Sequence, residues 1–87
     1  MNEERLAEYP ALGHPVPEHR RDNAFAWLRS VGIARDRAWS IVEKMADSLS
    51  ADRPHQAVEY GRLVVDLTGA YRLFDLLLTS EPVKVAA

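Results

Sequence analysis

The chain has 87 residues, 47% apolar and 28% charged, with a formal charge of −2 and no cysteine. That length supports one modest core and not two, and the missing thiols exclude disulfides, thiolate metal sites and cysteine nucleophiles. No apolar run approaches the ~20 residues that span a bilayer, and the first residues lack a charged-then-apolar leader. The expectation is one small cytoplasmic domain over 1–87, divided into an arm (1–16), a helical core (17–80) and a loose tail (81–87).

Residues 2–9 can form two turns of helix, stopped by Pro10. The three prolines and one glycine of 10–17 exclude a regular element, leaving an extended strap with Leu12 and Val16 as anchors. A first long helix is predicted over 17–31. Pro17 suits its first turn, and Ala24, Trp27, Leu28 and Val31 repeat at i, i+3, i+4 and i+7 before Gly32 ends it. A second is predicted over 35–50, with a stripe of Ala38, Ile41, Val42, Met45 and Leu49. A third begins near Arg53-Pro54, with Asp52 as N-cap, and runs to Thr79 before Pro82. No segment alternates with period two. The fold class is therefore all-α: a three-helix bundle preceded by a short helix and a proline-rich strap, and closed by a long C-terminal helix.

Continuous over 26 residues, that last helix would be a rod of about 39 Å, longer than a compact domain of this size. Tyr60, Leu63, Val64, Leu67, Tyr71, Phe74 and Leu78 fall on one side, which is expected to face the core. Val58, Gly61, Val65, Gly69 and Leu73 form a second row, and Leu76 and Leu77 widen it. Two glycines inside a helix cost about 1 kcal/mol each, so a close approach by other groups is expected there. Either the tryptophans of the first two helices fill that space, or the row is a seam for a protein partner or a second copy, or the helix kinks at Gly69. The seam, Val58, Gly61, Val65, Gly69, Leu73, Leu76 and Leu77, is the candidate protein interface.

Chemistry is not written into the chain. His14 and His19 lie out of helical register, His55 has no nucleophile beside it, and the four glycines are too scattered for a phosphate loop. No catalytic residue, metal ligand, cofactor, small-molecule substrate or membrane contact is expected. Charge is uneven, with a balance of −3 over 1–18, +3 over 19–37 and −2 over 38–87.

The basic stretch overlaps a motif. Residues 24–42 resemble a helix-turn-helix unit, with Trp27, Val31, Gly32, Ile33 and Ile41 matching its apolar-and-glycine frame. They depart from it at Leu28, where the motif has alanine, and at Ala38, where it has a larger apolar residue. The resemblance implies that Arg35, Arg37 and Ser40 face bases, with Arg20, Arg21 and Arg29 near phosphates and Trp39 pointing outward. Two functions follow. The leading one is a non-enzymatic regulatory or interaction protein (an adaptor, an antitoxin, an immunity protein or a phage-type inhibitor) that binds a partner protein and self-associates as a homodimer through its last helix. The alternative is a dimeric helix-turn-helix regulator that binds nucleic acid.

Overall fold

In the computed structural model, which describes residues 12–83, four helices form: α1 (Glu18–Ser30), α2 (Arg35–Ser50), α3 (Pro54–Gly61) and α4 (Leu67–Thr79). No strand occurs among the described residues, and the chain is all-α. The helix expected at 2–9 and most of the expected tail lie outside the described residues.

The first two helices fall where periodicity places them. Both stop in the same way. After α1, Gly32 takes a left-handed φ of +92°, its N–H donates to the Arg29 carbonyl at 3.0 Å, and the Ile33 N–H reaches back to Leu28 at 3.0 Å. After α2, Asp52 takes φ +58°, and the N–H groups of Asp52 and Arg53 close on Leu49 and Ser48. Each is a Schellman stop, which satisfies carbonyls that a helix end leaves open. Asp52 is therefore the terminator of α2 and not the N-cap expected for the next helix; Arg53 holds that place, with Pro54 in the first turn.

The continuous rod over 53–79 is not formed. It is two helices. α3 ends at Gly61, the turn over 62–66 is held by the N–H groups of Val64 and Val65 on the Gly61 carbonyl, and Asp66 caps α4 by accepting the Gly69 N–H at 2.8 Å. The break lets α3 and α4 fold back on each other, which no straight rod in so small a domain can do. The glycines sit at close approaches within the chain. A Cβ on Gly61 would lie 3.1 Å from the Ala70 Cβ, and one on Gly69 would lie 2.8 Å from the Val65 Cβ and 3.2 Å from the Trp27 ring.

One buried cluster draws on all four helices, with Phe74, Leu28, Met45, Leu49, Leu73 and Leu77 its largest members. Leu12 and Val16 pack against it, and the Gly13 N–H donates to the Leu49 carbonyl at 2.9 Å, which fastens residues 12–16 to the end of α2. Two expectations about faces are corrected. Leu63 and Leu67, placed on a core stripe by their angles, are exposed, because the break takes them out of a common helix. The expected seam is covered by the chain itself: Val58, Gly61, Gly69, Leu73 and Leu77 are buried, and Val65 and Leu76 are half-buried. With the helix folded in two, α2 and α1 reach both of its sides.

Candidate functional site

α1 and α4 run antiparallel, so the last turn of α1 lies beside the first turn of α4. Trp27 on α1 and Val31, the residue that caps its end, face that junction. Gly69 has no side chain there, and the Trp27 indole lies across it. The Schellman stop fixes Ile33 on one side, and the turn before Asp66 brings Val64 and Val65 up on the other. Between them is an open groove of about 580 Å³, lined by Trp27, Val31, Ile33, Val64, Val65 and Gly69, with Asp66, Thr68 and Arg72 at its polar edge.

Three of the four large hydrophobic side chains left exposed among the described residues lie at the end of α1, in the turn before α4 or at the start of α4. Among the described residues, the large hydrophobic side chains left exposed are Leu63 (60%), Val31 (48%), Leu67 (39%) and Val83 in the tail. Val31 lines the groove, Leu63 lies in the turn before α4, and Leu67 is the first residue of α4. Their clustering is the informative feature, since exposed apolar residues scattered singly carry no meaning.

The arginines expected to share one face do not share it. Arg20 is at the opposite end of α1, where its Nε and Nη1 donate to the Ser80 and Leu78 carbonyls at 3.2 and 2.9 Å. Arg21 meets Glu43 of α2 at 3.6 Å, a half-exposed pair worth little. Arg29 Nη1 donates to the carbonyl of Ile33, which lines the groove, at 2.8 Å, and Arg37 Nη2 donates to the Leu63 carbonyl in the turn after α3 at 3.0 Å; neither guanidinium lines the groove. Arg35 and Ser40 are exposed on α2. Trp39 does not project from that helix. It stacks on Phe25, ring centroids 4.1 Å apart and 11° from parallel.

The exposed positions of α2 are Arg35, Asp36, Arg37, Ser40, Glu43, Lys44 and Asp47, three basic and three acidic side chains with one serine. Of the histidines, His19 donates from Nε2 to the Ser80 carbonyl at 3.1 Å, and His14 and His55 are exposed. No group of three His, Asp or Glu side chains close enough to hold a metal ion occurs among the described residues, nor is any helix there long and apolar enough to cross a membrane.

Sequence reasoning named Trp27, Val31 and Ile33 as motif frame and Val65 and Gly69 as seam. It did not join them into one site. The signal that joins them is Asp66, a good N-cap four residues ahead of Ala70, which moves the start of α4 to the end of α1. No protein-family model, curated protein or solved structure matches the chain.

Proposed function

We propose that this protein is a non-enzymatic binding module that acts by receiving an apolar segment of a partner protein in the groove between α1 and α4. One observation carries the reading: an open groove walled by Trp27, Val31, Ile33, Val64 and Val65, with Val31, Leu63 and Leu67 exposed around it. Surface of this kind, contiguous and rimmed by polar groups, marks interaction sites in small proteins, and an aromatic anchor in a pocket is the usual energetic centre of such an interface. A regulatory or inhibitory role follows from mass action, since a domain that occupies a partner's surface needs no chemistry of its own.

The helix-turn-helix alternative has weaker support. The solvent side of α2 has no surplus of base, since Asp36, Glu43 and Asp47 offset Arg35, Arg37 and Lys44, and Arg20, Arg29 and Arg37 hold carbonyls within the fold.

The test compares capture of proteins from cell lysate by the wild type, Val31→Asp, Leu63→Asp and, as a control on α2, Asp47→Lys. Proteins retained by the wild type and the control but lost by both groove variants are the expected result. Capture indifferent to the groove variants overturns the reading. So does tight duplex binding that weakens steeply with added salt, the mark of phosphate contacts.

A further inference from the structure

The groove edge is balanced in charge. Asp66 and Arg72 are the charged side chains that line it. Both stand on α4, Asp66 as its N-cap and Arg72 in its second turn. Gly69, buried in the lining, is three residues from each, and at 1.5 Å per residue the two charges lie about 9 Å apart along the helix. Asp66 accepts the Gly69 N–H through Oδ1, and the lone pairs of Oδ2 can take a second donor. Asp75, one turn past Arg72, is the next acid, and the two share a shallow hollow with Thr68 and Tyr71.

An edge with one charge of each sign, placed evenly about a midpoint, carries its own complement. A two-fold axis through the groove at the level of Gly69, perpendicular to α4, sets Asp66 opposite Arg72 of a second copy and Arg72 opposite Asp66 of that copy. This is the self-matching that an isologous interface requires. Arg72 then stands between two acids, its own Asp75 and Asp66 of the second copy, and like charges are not set opposite each other. The Trp27 ring lies across Gly69, so the centre of the pairing is apolar, with Trp27 and Val31 of both copies inside the charged pairs. An apolar centre with a polar rim is the usual anatomy of a protein interface. The two grooves meet face to face, so the pairing needs no furrow longer than the first two turns of α4.

From this arrangement, and resting on the binding role argued above, we propose that two copies of the chain cover each other's groove when no other partner fills it. A partner protein then displaces the second copy, and self-association sets how much open groove is on offer. The exposed Val31, Leu63 and Leu67 give the pairing apolar surface that a lone copy leaves to water. A partner with a surplus of acid or of base would set a like charge against Asp66 or against Arg72, whereas a second copy sets none.

Sedimentation of the full chain from about 1 to about 300 µM tests this, a range that brackets weak association. The expected result is a reversible dimer with a Kd of about 10 µM, as suits a small interface. In Trp39→Phe, which leaves Trp27 as the one indole, fluorescence should move to the blue over the same concentrations as the pairing takes water from the ring. Arg72→Glu puts acids at 66, 72 and 75 and should weaken the dimer at least about tenfold, an effect that shrinks as salt rises. Asp66→Asn keeps an N-cap and removes the charge, so it should weaken the dimer about threefold with the fold intact. Leu63→Asp should also dissociate it, and Asp47→Lys on α2 should change nothing. Circular dichroism keeps folding apart from association, and the exposed Arg72 decides the matter if Leu63→Asp loses helix. A monomer at every concentration overturns the second copy as occupant and leaves the groove's binding role to the lysate capture, which decides it separately. A dimer that withstands both Arg72→Glu and Leu63→Asp uses another surface and overturns the proposal, as does a dimer whose formation leaves the Trp27 fluorescence unmoved.

Discussion

The two ends of the α1–α4 pair are finished in opposite ways. At one end, α1 reaches over the last turn of α4 with three polar side chains: His19 and Arg20 donate to the Ser80 carbonyl, Arg20 also to that of Leu78, and Asn23 donates to the Ser80 hydroxyl and the Glu81 carbonyl. Carbonyls that a helix C-terminus leaves without partners are satisfied there by the neighbouring helix. At the other end, among the described residues, no side-chain hydrogen bond joins α1 to the start of α4. α4 caps itself through Asp66, α1 stops itself through Gly32, and the space between them is left to apolar groups. A pair locked at one end and self-sufficient at the other can hold a groove open, because neither helix needs the other's polar groups at the open end.

The largest effect tests where the core ends and this groove begins. Leu73 is completely buried on α4. An aspartate there loses the leucine's burial and places a charge among apolar groups, a loss of more than about 4 kcal/mol. A domain this small has a total stability near the low end of about 5–15 kcal/mol, so Leu73→Asp should leave little folded protein by circular dichroism. A Leu73→Asp variant that stays folded while its association state changes would return this residue to a seam between molecules.

At the locked end, Arg20→Ala removes the donor shared by two carbonyls in a partly buried setting. The expected cost is about 1–2 kcal/mol, or roughly 4–16 °C in midpoint for a domain of this size. A melt unchanged from the wild type would mean that water replaces the arginine without loss, and the contrast between the ends would then be one of geometry alone.

Asp66→Ala addresses the break that creates the open end. Loss of an N-cap bond costs about 1 kcal/mol, whereas in an unbroken helix the same change to alanine is neutral or favourable. A destabilised variant in urea titration supports two helices, and a stabilised one supports a rod.

What was legible in the sequence follows from which signals are local. Gly32 and the Pro17–Glu18 start fix α1, and the stripe from Ala38 to Leu49 fixes α2, because each helix carries its own period and its own stop. The break at 62–66 was hidden by the same periodicity. Leu63 and Val64 stay in angular phase with Tyr60 and Leu67 although they sit in a turn, so a helical projection passes over them smoothly. Gly61 and Asp66 were the local signs of a stop and a start. Gly61 also marks a close approach, since a Cβ there would meet Ala70 at 3.1 Å. The groove inherits this difficulty. Trp27 and Val31 look like core from their spacing and Ile33 like motif frame, and their partial exposure depends on where α4 begins, which is settled by Asp66, 33 to 39 residues later in the chain.

Leu63→Asp should cost stability on the same small scale as Asp66→Ala, and it bears most directly on the contrast between the two ends. Leu63 is 60% exposed in the turn after α3, so less than half of its side chain contributes burial. On a scale where full burial of a leucine is worth about 1.5–3 kcal/mol, the loss is about 1 kcal/mol. A negative charge just past the C-terminus of α3 adds a few tenths. The backbone carbonyl that Arg37 holds is unaffected by the side chain. The midpoint should therefore fall by roughly 4–8 °C with the helical spectrum intact, while capture of a groove-dependent partner is lost. If Leu63→Asp instead unfolds the protein as Leu73→Asp should, then Leu63 is core in solution, the turn over 62–66 is packed shut, and the open end closes as firmly as the one that Arg20 holds.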